Sequence, residues 1–198
     1  MTAPEKARKR ATYEDILNAP ENVVAEILDG ELFLTPRPSF LHGVASSVLG
    51  GEIGPPFHRG RGGPGGWWII FEPELHLGAD VLVPDLAGWR RERMPTPPEG
   101  VGVTVFPDWV CEVLSPSTER TDRMRKLRIY AREGVGHAWL VSPDQRTLEI
   151  FRLKEGQWVL LAVYGDDEVL RAEPFDAIEL DLLPLWGEER AEEGEGAE

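Results

Sequence analysis

The sequence predicts an α/β or α+β fold, a β-sheet with few helices around one core, and three observations lead there. Helical and strand periodicities follow one another as helix, hairpin, helix, several strands, helix, strands. At 198 residues the chain can bury most of its apolar surface in one ordinary domain without staples. Its 41% apolar and 28% charged residues are those of a globular protein.

Taken in order, residues 1–11 read as a disordered basic lead, 12–187 as one domain and 188–198 as an acidic, disordered tail. Thr12 caps a short helix to about Asn18, with Asp15 three residues on, and Pro20 ends it. Val23–Leu28 and Glu31–Thr35 form a hairpin about the two-residue turn Asp29-Gly30. Ser39 caps a second helix to roughly Leu49, with His42 in its first turn. Residues 50–66, rich in Gly and Pro, read as a mobile loop. Trp67–Leu77 reads as one long strand interrupted near Pro73, and Val81–Trp89 as another holding Pro84-Asp85. A loop from Arg90 to Gly102 precedes the buried strand Trp109–Leu114. Ser117 or Thr118 caps a helix from Glu119 to Arg132, which Gly134 ends. Strands follow at 137–142, 147–153 and 157–164, then a short one at 168–171, and 177–183 is the last structured piece.

Composition excludes several classes. No apolar run approaches the ~20 residues of a membrane helix, and no apolar stretch follows the basic N-terminus, so it is no secretory signal. The cytoplasm is the expected address. The one cysteine, Cys111, permits neither an internal disulfide nor a cysteine-based zinc site. Setting aside +3 in residues 1–10 and −5 in residues 188–198 from the total of −14 leaves a body of −12. That field opposes a polyanion, whose binding is driven by Lys and Arg displacing counterions, and suits a cation. Three local basic groups could still form a binding lip: Arg59 with Arg61, Arg90–Arg93, and Arg123–Arg128.

Glu112 sits in the middle of Trp109–Leu114, where an ionised carboxylate costs several kcal/mol unless it is paired or binds a metal. Asp85 lies in a similarly apolar stretch, Val81 to Ala87, and Glu26 in Val23 to Leu28. Brought together, three such carboxylates make the hard-oxygen site that Mg²⁺ or Mn²⁺ prefers. Chemistry at such a site also needs a cation near the developing charge, and Lys126 on the next helix is the natural candidate, with Asp122 a turn before it. Each residue has an ordinary reading too. An acid in a strand often faces solvent, Lys126 could belong to a solvated helix face, and His42 could be a packing residue. The glycine run 62–66 lacks the Lys-Ser/Thr of a phosphate loop, and Ser115 lacks a nucleophile-elbow context.

Glu31, His42, Val83-Pro84-Asp85-Leu86, Pro107 to Thr118, Asp122, Lys126, Tyr130, Gly134-Val135 and Ala138 to Pro143, in this order and spacing, resemble the Uma2 family (DUF820) of endonucleases. The resemblance runs from about residue 12 to 180. It implies a restriction-endonuclease-like PD-(D/E)XK fold, a mixed central sheet flanked by helices. It also implies that Asp85 and Glu112 are the metal ligands, for Mg²⁺ or Mn²⁺. The lysine expected two residues after Glu112 is replaced by Leu114. The resemblance transfers its role, orienting or helping to deprotonate the attacking water, to Lys126. Glu26 would complete the metal shell, and His42 and Asp122 would support it.

The expected function is therefore metal-dependent hydrolysis of phosphodiester bonds in nucleic acid, DNA before RNA, in a chain that could pair as a homodimer. A catalytically inactive binding or scaffolding domain on the same fold is the alternative. A paired-carboxylate glycosidase using Asp85 and Glu112 is a third reading, without an aromatic sugar platform to support it.

Overall fold

A computed structural model describes residues 10–190. The basic lead up to residue 9 and the acidic tail from residue 191 lie outside them. Helix α1 (Tyr13–Leu17) begins in the expected capping box, the Thr12 amide donating to the Asp15 carboxylate at 2.7 Å. Strands β1 (Val23–Leu28) and β2 (Glu31–Pro36) pair antiparallel about the Asp29-Gly30 turn, both in left-handed backbone. Ser39 caps α2 (Phe40–Ile53) by accepting the His42 amide proton.

Two stretches depart from the sequence reading. Residues 50–66 are not wholly loop: α2 continues to Ile53, and a π-helical turn (Gly54–His58) follows with prolines in its first positions. Proline is tolerated there because the first helical amides have no partner to lose. The buried Phe57 ties this turn into the core. The two long strands are also each cut in half. Trp67–Leu77 becomes β3 (Trp67–Phe71) and β4 (Glu74–Leu77), and Val81–Trp89 becomes β5 (Asp80–Leu82) and β6 (Leu86–Arg90). β3 pairs with β6 and β4 with β5, so this is one bent hairpin whose two ends enter different sheets. The bend is stitched by the Glu72 amide donating to the Asp85 carbonyl at 3.0 Å.

After a short β7 (Gly102–Val103) comes β8 (Trp109–Val113). Helices α3 (Glu119–Thr121) and α4 (Leu127–Glu133) are joined by a π-helical turn, Asp122–Lys126. Gly134 ends the run in left-handed backbone at φ 86°. Strands β9 (His137–Ser142), β10 (Thr147–Lys154), β11 (Gln157–Gly165), β12 (Val169–Leu170) and β13 (Leu180–Asp181) follow. The five-stranded sheet has the order β2-β1-β5-β4-β7 and the six-stranded sheet β11-β10-β9-β8-β6-β3. Both are mixed: β4 with β7 and β8 with β9 are parallel, the other pairs antiparallel.

Alternation along β8 sorts the interior into two cores. Trp109, Cys111 and Val113 join Ala45, Leu49 and Ile53 of α2 on one face of the six-stranded sheet. Val110 and Leu114 face the other core, with Leu28, Leu82 and Tyr130. Glu112 shares that second face by parity, and so lies in the layer between the two sheets.

Candidate functional site

Glu112 is 3% exposed, flanked in β8 by residues that are buried without exception. Its Oε2 accepts from Lys126 Nζ at 2.9 Å and its Oε1 from the Tyr130 hydroxyl at 2.6 Å. Lys126, also 3% exposed, is the hub of the group. Its Nζ lies 3.0 Å from Glu26 Oε1 and 3.7 Å from Asp122 Oδ1, and donates to the Val83 carbonyl at 3.3 Å. Glu26 Oε1 in turn accepts the Val83 amide proton at 2.8 Å. The solvent-face readings of Glu26, Glu112 and Lys126 therefore fall. Helical spacing puts Asp122, Lys126 and Tyr130 on one stripe, each four residues from the next.

Asp85 stands at the bend of the hairpin, just before β6. Its Oδ1 is 2.5 Å from His42 Nε2, and its Oδ2 accepts the amide proton of Val113, the residue after Glu112, at 2.6 Å. His42 Nδ1 is buried with no partner among the described residues. The six residues singled out in the sequence thus form two groups, Glu26–Glu112–Asp122–Lys126 and Asp85–His42, and all six line one cleft of about 500 Å³.

The electrostatics follow from burial. Desolvation raises the Glu112 carboxyl well above its usual range; Lys126 opposes this, while Asp122, Asp85 and Glu26 reinforce it. Asp122 is raised for the same leading reason. Burial works to discharge Lys126, but Glu112 and Glu26 outweigh it and hold the ammonium charged far above neutrality. With all carboxyls ionised, four acids would face one lysine, so the cleft is short of positive charge.

Five contributors had no site role in the sequence reading. Tyr130 stood among the residues of the family resemblance without a role, and its spacing of four from Lys126 was a second signal. Arg37 lines the cleft, as do the hydroxyl-bearing Ser115, Ser117 and Thr118. The expected basic lip is also largely committed elsewhere. Arg123 pairs with Glu119 and Glu149, Arg125 with Glu31, and Arg93 with Asp108. Arg91 lies 3.6 Å over the Trp68 ring and donates to two backbone carbonyls. Arg59, Arg61 and Arg128 are exposed.

Among the described residues no three His, Cys, Asp or Glu side chains are grouped so as to hold a metal unaided. Asp85 and Glu112 do open on one cleft, both offer hard oxygens, and the surplus negative charge there favours a cation. Two carboxylates with waters or substrate oxygens are the shell that Mg²⁺ commonly accepts, so the residues fit such an ion.

A family model described as "Uma2: Putative restriction endonuclease" matches residues 10–183. A solved structure from Anabaena variabilis ATCC 29413, described as "a putative nuclease belonging to DUF820", superposes with a TM-score of 0.68 at 22% identity, over 89% of this chain and 98% of that one. That likeness shows the fold, an α/β arrangement of mixed sheets flanked by helices. No curated protein matches the chain. Among the described residues no helix is long and apolar enough to cross a membrane.

Proposed function

The chain belongs to the Uma2 family, and from that membership and its cleft we propose a metal-dependent endonuclease that hydrolyses phosphodiester bonds of nucleic acid, DNA foremost, in the cytoplasm. The observation that carries this reading is the buried Lys126 held between Glu26 and Glu112 in the wall of a cleft that also contains Asp85. A lysine beside carboxylates in a cleft is what phosphoryl transfer by water requires: a fixed positive charge where negative charge develops.

Asp85 and Glu112 would hold Mg²⁺ or Mn²⁺. When bound, the ion supplies Lewis-acid stabilisation of charge on the phosphate oxygens. His42 and the Val113 amide fix the two oxygens of Asp85, and Tyr130 and Lys126 fix those of Glu112. Because Lys126 is held as an ammonium with its three protons directed at Glu112, Glu26 and the Val83 carbonyl, it acts as a fixed positive charge beside the attacking water; it has no lone pair with which to take the proton. Arg37 and the Ser115, Ser117 and Thr118 hydroxyls supply phosphate contacts along the cleft.

Nicking of supercoiled plasmid with Mg²⁺ or Mn²⁺ tests the assignment. Asp85→Ala, Glu112→Ala and Lys126→Ala should each abolish it, and nicking that survives in both carboxylate variants overturns the reading.

One observation favours the second reading, an inactive binding or scaffolding domain. Both oxygens of Asp85 and of Glu112 already face protein donors, so the cluster is self-satisfied. Calorimetry separates the two. Mn²⁺ binding that Asp85→Asn weakens supports the nuclease, and no Mn²⁺ uptake supports the scaffold.

A further inference from the structure

β11 ends the six-stranded sheet, and among the described residues only β10 pairs with it. Among the described residues its other edge offers free backbone donors and acceptors, except at Gly165, whose amide and carbonyl both bond to Glu168. Proteins normally blunt such an edge with charge or proline. The nine residues of β11, Gln157–Gly165, include no charged residue and no proline, in a chain whose net charge is −14. Val159, Leu160, Leu161 and Val163 are all exposed, Val163 at 54%. A bulge opposite Ile150 and Phe151 leaves Leu161 without a partner on β10, so two successive leucines stand in solvent.

We propose that β11 is a homodimer interface, at which β11 of a second copy adds antiparallel across a two-fold axis and the two sheets join into one of twelve strands. Three features select a second copy over other occupants. An antiparallel strand is complementary to itself under two-fold symmetry, and pairing centred on Leu161 sets Val159 against Val163 at both ends. Two copies that each carry −14 repel one another, and an uncharged strand is where that repulsion is least. The chain's own remaining segments are chemically wrong for the role, since residues 1–9 are basic and polar and residues 191–198 hold four glutamates and no large apolar side chain. A nine-residue antiparallel pair supplies roughly one backbone hydrogen bond per residue, along with burial of the valines and leucines.

The arrangement has a consequence for the cleft, which rests on the nuclease reading. Strand register carries Glu112 to Leu140, Leu140 to Glu149 and Glu149 to Val163, nearly level with the proposed axis. Seven strand spacings would separate the two copies of β8, about 34 Å at ~4.8 Å each. One turn of B-form DNA is also about 34 Å, so both clefts could meet one duplex a turn apart.

Sedimentation equilibrium of the full chain at high-micromolar concentration tests the interface without recourse to activity, so a failure here leaves the nuclease reading standing. The expected mass is twice 22.1 kDa for the native chain and 22.1 kDa for the Val159→Lys/Val163→Lys variant with its melting transition retained. Hydrogen exchange of the native chain gives a second readout that needs no variant: amides of residues 157–165 should gain protection as concentration rises through the association. A native mass of 22.1 kDa, a dimer that persists in the folded double variant, or exchange in β11 that ignores concentration each overturns the proposal.

Discussion

Lys126 Nζ lies 2.9 Å from Glu112 Oε2, and neither residue is more than 3% exposed. An ion pair so placed loses nearly all hydration on both sides, and its partners hold each other charged only while both are present. Glu26, on the other sheet, closes the arrangement at 3.0 Å from the same ammonium.

Lys126→Met should destabilise the fold by about 3–5 kcal/mol at pH 7, because it leaves Glu112 and Glu26 as unpaired buried acids. Urea unfolding measures this. A loss below about 1 kcal/mol would show that the lysine is not the counterion of the cluster.

The metal-free protein should carry a stability term that falls as pH rises. Burial raises the Glu112 carboxyl in the folded state, so the native state binds more protons than the unfolded one. The resulting stabilisation is complete below the unfolded carboxyl range and is lost as pH climbs through the raised folded value. Glu112→Gln removes this term. The stability of the native chain relative to the variant should therefore drop with pH, by up to about 1.4 kcal/mol per unit, in paired melts from pH 5 to 8. A difference that rises with pH contradicts the burial argument.

Tyr130→Phe should cost about 1–3 kcal/mol, since it strips a 2.6 Å donor from a buried carboxyl. The phenol is raised well above its usual range by burial and by Glu112, so it remains a donor throughout the pH range of the experiment. Thermal melts of the two proteins at matched pH decide it, and equal stability would sink the claim.

His42→Ala should leave the fold largely intact but weaken Mn²⁺ binding about tenfold to a hundredfold, as loss of a residue that orients a ligand does. Asp85 would keep only the Val113 amide. Titration calorimetry reads the change, and unchanged affinity would mean that His42 merely packs.

Much of this was legible in the chain. The hairpin at Asp29-Gly30, the Ser39 cap, the Gly134 stop and the strand around Glu112 are written in local chemistry, and the structure repeats them. So is the meeting of Glu26, Glu112 and Lys126, because acids within apolar strands must find a cation. The division of the two long strands was only partly legible: the interruption near Pro73 is marked in the sequence, but only tertiary pairing decides which sheet receives each half. The helical extension into Gly50–His58 was hidden by its glycines and prolines, which Phe57 overrides by burial. The engagement of the arginines was equally invisible: Arg123 meets Glu149 across 26 residues of sequence.

The bent hairpin leaves Asp85 at the seam, between a strand of one sheet and a strand of the other. Glu26 rides on the five-stranded sheet and Glu112 on the six-stranded one, and Lys126 clasps them. The spacing of the acidic groups is thus a gauge of the angle between the sheets. Any partner that slides one sheet past the other, at however remote a point, would open or close the jaws of the cleft.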